Sequence, residues 1–207
     1  MKTYKEIYKD RNFLIQFVIT IVLQVIVLML FSKFLLFVEA RQGVTLDDPI
    51  FHFYNAVRFD IPIFILIYGS IITGFIALLF HPKMLLIAVQ SYILIILFRM
   101  LAMYLTPLEP PIGTLNLQDP LVFIAGTGSV ITKDLFFSGH TSMLFLLFLT
   151  AQNKILKYIF LILLFVVPIL LLLQKAHYSI DILAALFFTY ASFKIISFLH
   201  KSKSEIG

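Results

Sequence analysis

Six stretches of this chain are apolar for long enough to cross a lipid bilayer, and that single feature decides what it can fold into. They run from Phe13 to about Val38, Ile61 to Phe80, Met84 to Leu105, Leu135 to about Ala151, Ile155 to Leu173 and His177 to about Leu199. Each is close to the roughly 17–25 residues that a helix needs to traverse the hydrocarbon core. Backbone N–H and C=O groups find no water there, so each run must satisfy its hydrogen bonds internally as a helix. The expected fold is all-α: a polytopic membrane protein with six transmembrane helices. Composition agrees, with 61% hydrophobic and 13% charged residues among 207, against roughly 45–50% and 25% in a soluble domain. The runs leave no room for a globular module, so the expected organisation is one membrane domain over residues 1–207. The first run follows the charged segment Met1 to Asn12 and is longer than a signal-peptide core, so it reads as a retained helix.

Local signals refine these helices. Pro62 suits the first turn of the second, where its missing N–H costs nothing. Ser70 and Gly74 offer a small-xxx-small contact face, and Pro168 predicts a kink in the fifth. Links near Gln152 to Lys154 and Gln174 to Ala176 are short enough to make helices four to six an antiparallel series. Two links are long. Glu39 to Asp60 contains Asp47-Asp48-Pro49, and Thr106 to Asp134 holds Pro107, Pro110, Pro111, Pro120, Gly113, Gly126 and Gly128, too broken for a regular helix. Loops of that length are usually functional or disordered.

The net charge of +5 does not signal nucleic acid, because the basic residues sit at segment ends without aromatic-basic patches. They read as topology signals. An even number of spans puts both termini on one side. That side collects Lys2, Lys5, Lys9, Arg11, Lys83, Lys154, Lys157, Lys194, Lys201 and Lys203; the other receives Lys33, Arg41, Arg58, Arg99, Lys133 and Lys175. Lys and Arg accumulate on the cytoplasmic side, so both termini are expected to be cytoplasmic. With no cysteine, disulfides, thiol nucleophiles and thiolate metal sites are excluded.

Polar groups inside apolar helices are expensive and therefore informative. Ser138-Gly139-His140-Thr141 lies at the outer end of the fourth helix, where free N–H groups and the positive dipole end suit an anion and glycine permits close approach. His177-Tyr178-Ser179-Ile180-Asp181 opens the sixth. The four-residue spacing sets His177 and Asp181 on one helical face, where the carboxylate can fix the imidazole tautomer. This is the make-up of an activated histidine. Arg99, near the outer end of helix three, lies at the same level.

Plainer readings compete with each of these. His140 could simply cap its helix and His177–Asp181 could be a structural pair, but two intramembrane histidines at one depth beside an acid favour function. A zinc site would need ligands beyond His177 and Asp181, and no HExxH or carboxylate cluster supplies them. A serine protease reading of Ser138 lacks the glycine of GxSxG, since Phe136 stands there. Arg99 is as readily a snorkelling residue as a phosphate contact. Lys133, Lys175 and Asp134 read as rim residues, and Tyr104, Tyr158 and Tyr178 as interface-belt aromatics. His52, His81 and His200 belong to no constellation.

Phe136-Phe137-Ser138-Gly139-His140-Thr141 and His177-Tyr178-Ser179-Ile180-Asp181 resemble the two signature motifs of the sphingomyelin synthase branch of the type 2 phosphatidic-acid phosphatase superfamily. Asp134 matches an acidic residue before the first motif. The segment Arg99, Met103-Tyr104-Leu105-Thr106-Pro107-Leu108 and Pro110 is similar to the end of the third helix in that branch. The resemblance implies a catalytic core over about 99–199, with an extracytoplasmic site. In it His177 attacks phosphorus, Asp181 orients His177, and His140 protonates the leaving alcohol and later activates the acceptor. Arg99, Ser138, Gly139, Thr141, Asp134 and Tyr178 become candidate substrate-binding residues. No cofactor or metal is expected. The phosphomonoesterases of the superfamily carry KxxxxxxRP, PSGH and SRxxxxxHxxxD. Here Phe137 replaces the proline, Leu171 stands where the second arginine belongs, and no KxxxxxxRP precedes helix four. A phosphomonoester dianion calls for several cationic partners, whereas a diester carries one charge.

The expected function is therefore head-group transfer from a phosphodiester phospholipid or sphingolipid to a lipid alcohol, ceramide or diacylglycerol. The alternatives are a lipid phosphate phosphatase with water as acceptor, and a non-catalytic lipid transporter or scaffold. The expected setting is that of an integral protein of a bacterial inner membrane.

Overall fold

A computed structural model of the chain describes residues 4–117 and 131–206. Pro120, Gly126 and Gly128 of the long second link lie outside the described residues. A single turn, Tyr4–Ile7, precedes α1 (Arg11–Ala40); α2 (Asp60–Leu79), α3 (Pro82–Leu105), α4 (Gly139–Thr150), α5 (Lys154–Leu173) and α6 (Ser179–Ile206) follow. A 3₁₀ turn, Pro49–Phe53, lies between α1 and α2, and among the described residues there are no strands beyond one isolated bridge, Val44 to Leu108. The helix starts follow local chemistry. Asp10 caps α1 by accepting from Asn12 N at 3.0 Å and Phe13 N at 3.3 Å, and Asn153 does the same for α5, satisfying N–H groups that have no partner within the helix. Pro82 opens α3 and Pro62 lies in the first turn of α2. α5 continues through Pro168.

Five helices, all but α4, are long and apolar enough to cross a membrane. The expected fourth span is shorter than its apolar run: α4 has 12 residues and covers about 18 Å at 1.5 Å per residue, less than the roughly 30 Å of hydrocarbon. The helix begins at Gly139 rather than Leu135 because Ser138 is extended as its N-cap and Phe136 has φ +38°. The three apolar residues before it serve packing instead. Phe137 is fully buried, stacked on Phe188 of α6 with ring centroids 4.9 Å apart. α6 starts two residues later than its apolar run and extends to Ile206.

α4 is the hub, packed against α2, α3, α5 and α6, while α1 leans on α3 at the periphery. Ser70 and Gly74 do form a contact face. Ser70 is buried, and a Cβ on Gly74 would meet Leu147 of α4 at 2.5 Å. Ile63, Ile67, Leu144, Val167 and Leu171 make one apolar core among α2, α4 and α5. Ile95, Ala102, Phe137, Leu146 and Ala185 make another among α3, α4 and α6.

The helices alternate in direction. At one face Arg41 Nη1 donates to Tyr104 O (3.1 Å), Phe59 N to Gln174 Oε1 (2.7 Å) and Ser138 N to Asp181 O (3.2 Å). The first joins the ends of α1 and α3, the second the start of α2 to the end of α5, and the third the starts of α4 and α6. At the opposite face Tyr8 OH donates to Leu79 O at 3.0 Å, and His200 pairs with Gln90 at 2.7 Å. The start of α1 and the end of α6 therefore share the face away from His140 and His177.

Candidate active site

The α4 start is built by its own residues. Ser138 Oγ receives the N–H of Thr141 at 3.4 Å and its hydroxyl at 3.1 Å, and Ser142 Oγ donates to Ser138 O at 2.8 Å. All three side chains are fully buried. His140 occupies the first turn, its ring 6.4 Å from that of Phe64 in α2.

The α6 start is built by Asp181. Oδ2 lies 3.2 Å from His177 Nδ1 and also accepts the N–H of Tyr178 at 3.1 Å. One carboxylate thus reaches back to the backbone N–H of the residue before the helix, as the acidic half of a capping box does, and orients the imidazole, the arrangement anticipated from the four-residue spacing. His177 is 5% exposed and Asp181 is fully buried, its Oδ1 without a hydrogen-bond partner among the described residues. The two helix starts are tied directly by the bond from Ser138 N to Asp181 O.

Arg99 neither snorkels nor stands open. It is buried, donates from Nε to Phe137 O at 3.1 Å, pairs through Nη2 with Asp134, and lies 5.0 Å from the Phe31 ring centroid. The space beside Gly139 is taken by this guanidinium: a Cβ there would fall 2.6 Å from Arg99 Nη1 and 2.9 Å from Cζ. The glycine admits arginine where the sequence suggested a ligand. Asp134 joins the site as the partner of Arg99.

The two lysines expected at the rim are engaged. Lys133 Nζ donates to Glu109 Oε1 at 2.8 Å and Arg41 O at 2.6 Å, and its N–H goes to Glu39. The Lys133 hydrogen bond, reinforced by the Gly43 N–H, holds the Glu109 carboxyl below its ordinary pKa. That pairing stabilises the fold above the unfolded pKa of the carboxyl and is lost as pH falls through the depressed one. Lys175 Nζ donates to Phe51 O at 3.0 Å and faces the Phe51 and Tyr54 rings. Tyr178 is fully buried; its hydroxyl donates to Glu109 O at 2.9 Å and accepts from Leu46 N at 3.2 Å. Among the described residues no group of three or more His, Asp or Glu side chains gathers to hold a metal.

Two residues that sequence reasoning passed over help shape the site. Gln174, read only as a link, is fully buried and accepts from Phe59 N, with its amide on Asp60 and Leu115 O. Asp48, which is 6% exposed, reaches the start of α6. The Asp-Pro pair signals the cap of the 3₁₀ turn that Asp48 makes, but nothing local signals its partner in α6. A groove of about 370 Å³ opens beside it, lined in part by Asp47, His52, Ile112 and Lys175.

Residues 133–198 match the family model described as PAP2 superfamily C-terminal. The interval contains both site histidines, Asp134 and Asp181, and supports the type 2 phosphatidic-acid phosphatase superfamily, whose members are typically lipid phosphatases or phosphotransferases. No solved structure matches the chain.

Proposed function

We propose that this membrane protein transfers the phosphorylated head group of a phosphodiester lipid to a lipid alcohol, ceramide or diacylglycerol. The observation that carries the chemistry is the contact of His177 Nδ1 with Asp181. With Nδ1–H held by the carboxylate, Nε2 bears the lone pair. Nε2 bonds to phosphorus as the bond to the departing lipid oxygen breaks, and His140 protonates that oxygen. In the second half His140 takes the proton of the acceptor hydroxyl, its oxygen attacks phosphorus, and the P–N bond breaks to restore His177. Ser138, Gly139 and Thr141 supply the helix start that favours the phosphate charge. Arg99, paired with Asp134, holds Phe137 O and with it the turn that leads into that helix start, and Tyr178 fixes the segment carrying His177.

The diester preference is supported by what the nearby cations already do. Arg99 is paired with Asp134, Lys133 with Glu109, and Lys175 lies against Phe51 and Tyr54. Leu171, at the position of the phosphomonoesterase arginine, is fully buried in the apolar core. A dianion would find few free partners. Purified protein in vesicles holding a phosphodiester phospholipid and ceramide or diacylglycerol should yield a new head-group lipid by mass spectrometry. It should turn over phosphatidic acid at least about tenfold more slowly, or about 1.4 kcal/mol in transition-state binding. Faster phosphate release from phosphatidic acid would establish the phosphatase reading instead. Lipid flux that survives loss of both histidines would make the protein a transporter.

The basic-residue distribution supports cytoplasmic termini and an external site. Since the chain has no cysteine, a Thr114→Cys variant gives one labelling signal. It should react with an impermeant thiol reagent added outside intact cells; reaction only after the cytoplasmic side is exposed would reverse the orientation.

A further inference from the structure

His177 lies just before α6, where no helical hydrogen bond fixes its backbone, so its aim depends on what holds its neighbours. Asp181 holds one side, through the Tyr178 N–H and the imidazole itself. The next residue along, Ser179, is held from 131 residues away. Asp48 Oδ2 accepts the N–H of Ser179 at 2.7 Å, while Oδ1 accepts Ile50 N at 3.2 Å and so stiffens its own turn. Around that bond the first extramembrane link docks on the same segment. Leu46 N donates to the Tyr178 hydroxyl, Phe51 stacks obliquely on Tyr178 at 6.0 Å, and Lys175 donates to Phe51 O. His177 is thus flanked on both sides by residues clamped to the Leu46–Phe51 stretch, which lies outside both the 99–199 core and the 133–198 family match.

We propose that Asp48 is a positioning residue for His177. Its buried carboxylate takes one of the N–H groups that the start of α6 leaves unpaired and favours the positive helix end, fixing the angle from which the imidazole approaches phosphorus. The catalytic unit therefore includes part of the first link. This inference rests on His177 being the nucleophile, and its test has one arm that needs no substrate.

In the first arm, nitrogen-15 histidine spectra are recorded on the purified full chain in detergent, with the His177 signals assigned by their loss in His177→Gln. Asp48→Ala should shift or broaden the His177 ring signals, and Asp48→Asn, which keeps an acceptor oxygen, should largely restore them. In the second arm, head-group transfer is measured in the vesicles described above. Asp48→Ala should lower kcat by about ten- to a hundredfold, as a misplaced reacting group does, with KM within about twofold and thermal stability retained. Asp48→Asn should recover most of that loss. Ser179→Pro removes the same bond from the other side at a helix position that tolerates proline, and it should lower kcat similarly. Combining it with Asp48→Ala should add little further loss. Asp47→Ala, an exposed neighbour paired with His52, should stay within about twofold of the unaltered protein. His177 signals unmoved in Asp48→Ala, or kcat losses that multiply in the double variant, would overturn the proposal. Absence of transfer by the unaltered protein, with the spectral shift present, would overturn the transferase reading and leave the positioning role standing.

Discussion

His177→Ala and His140→Ala should each abolish turnover while the protein still inserts and folds. In the proposed mechanism the first removes the nitrogen that bonds to phosphorus. In the same mechanism the second removes the proton donor for the leaving oxygen, an effect typically of about 10²–10⁴ in rate. Neither change leaves a large defect in the core, because His177 and His140 sit at helix starts and not within the apolar clusters. Asp181→Asn should also be severe. An amide turned so that its NH₂ meets His177 Nδ1 favours the wrong tautomer, and the charge that supports the imidazolium is gone. The measurement is head-group transfer by purified variants whose monodispersity and thermal unfolding match the parent. Near-normal turnover by His177→Ala would end the phosphohistidine mechanism.

Gly139→Ala should be nearly as damaging, for a reason only the folded structure supplies. The new methyl would lie 2.6 Å from Arg99 Nη1, and the guanidinium has little freedom to retreat. Nε is on Phe137 O, Nη2 is on Asp134, and the Phe31 ring covers it. Either the arginine leaves part of this network or the α4 start shifts. Overpacking of this kind costs about 1–3 kcal/mol, and a displacement of about 1 Å at a reacting group can cost 10²-fold in rate. Thermal unfolding and turnover should fall together. Parental stability and rate in Gly139→Ala would mean that Arg99 moves aside freely and does not set the position of the Ser138–His140 turn.

The helices were legible because lipid leaves few options: a long apolar run must be a helix, and hydropathy alone locates it. Their ends were less legible. Leu135, Phe136 and Phe137 read as the start of a span, yet their apolar character serves contact with α6, and Ser138 marks the true beginning. The His177–Asp181 pair could be read because four residues is a helical repeat. Arg99 could be placed at the right level, but not assigned, since its partners Asp134 and Phe137 O are 35 and 38 residues distant. Gln174 and Asp48 were invisible for the same reason. A buried polar residue whose partner lies over a hundred positions away leaves no periodic trace, and nothing near Lys175 in the sequence marks the Phe51 and Tyr54 rings that face it.

The shortness of α4 has a consequence for solvation. α4 and α5 run antiparallel from a three-residue link with 12 and 20 residues, so the first turn of α4 stops about 12 Å below the far end of α5 at 1.5 Å per residue. The irregular segments 131–138 and 174–178 descend to that depth, where bulk water cannot be counted on to saturate a peptide group. Non-helical backbone at such a level persists only when the protein itself provides the partners. Glu39 receives the amides of Thr132 and Lys133, Arg99 caps the Phe137 carbonyl, Gln174 takes the Phe59 amide, and Asp48 takes that of Ser179. These scattered polar side chains act as an internal, immobile hydration shell. It lets irregular backbone persist well below the far end of α5, beside the segment that carries His177.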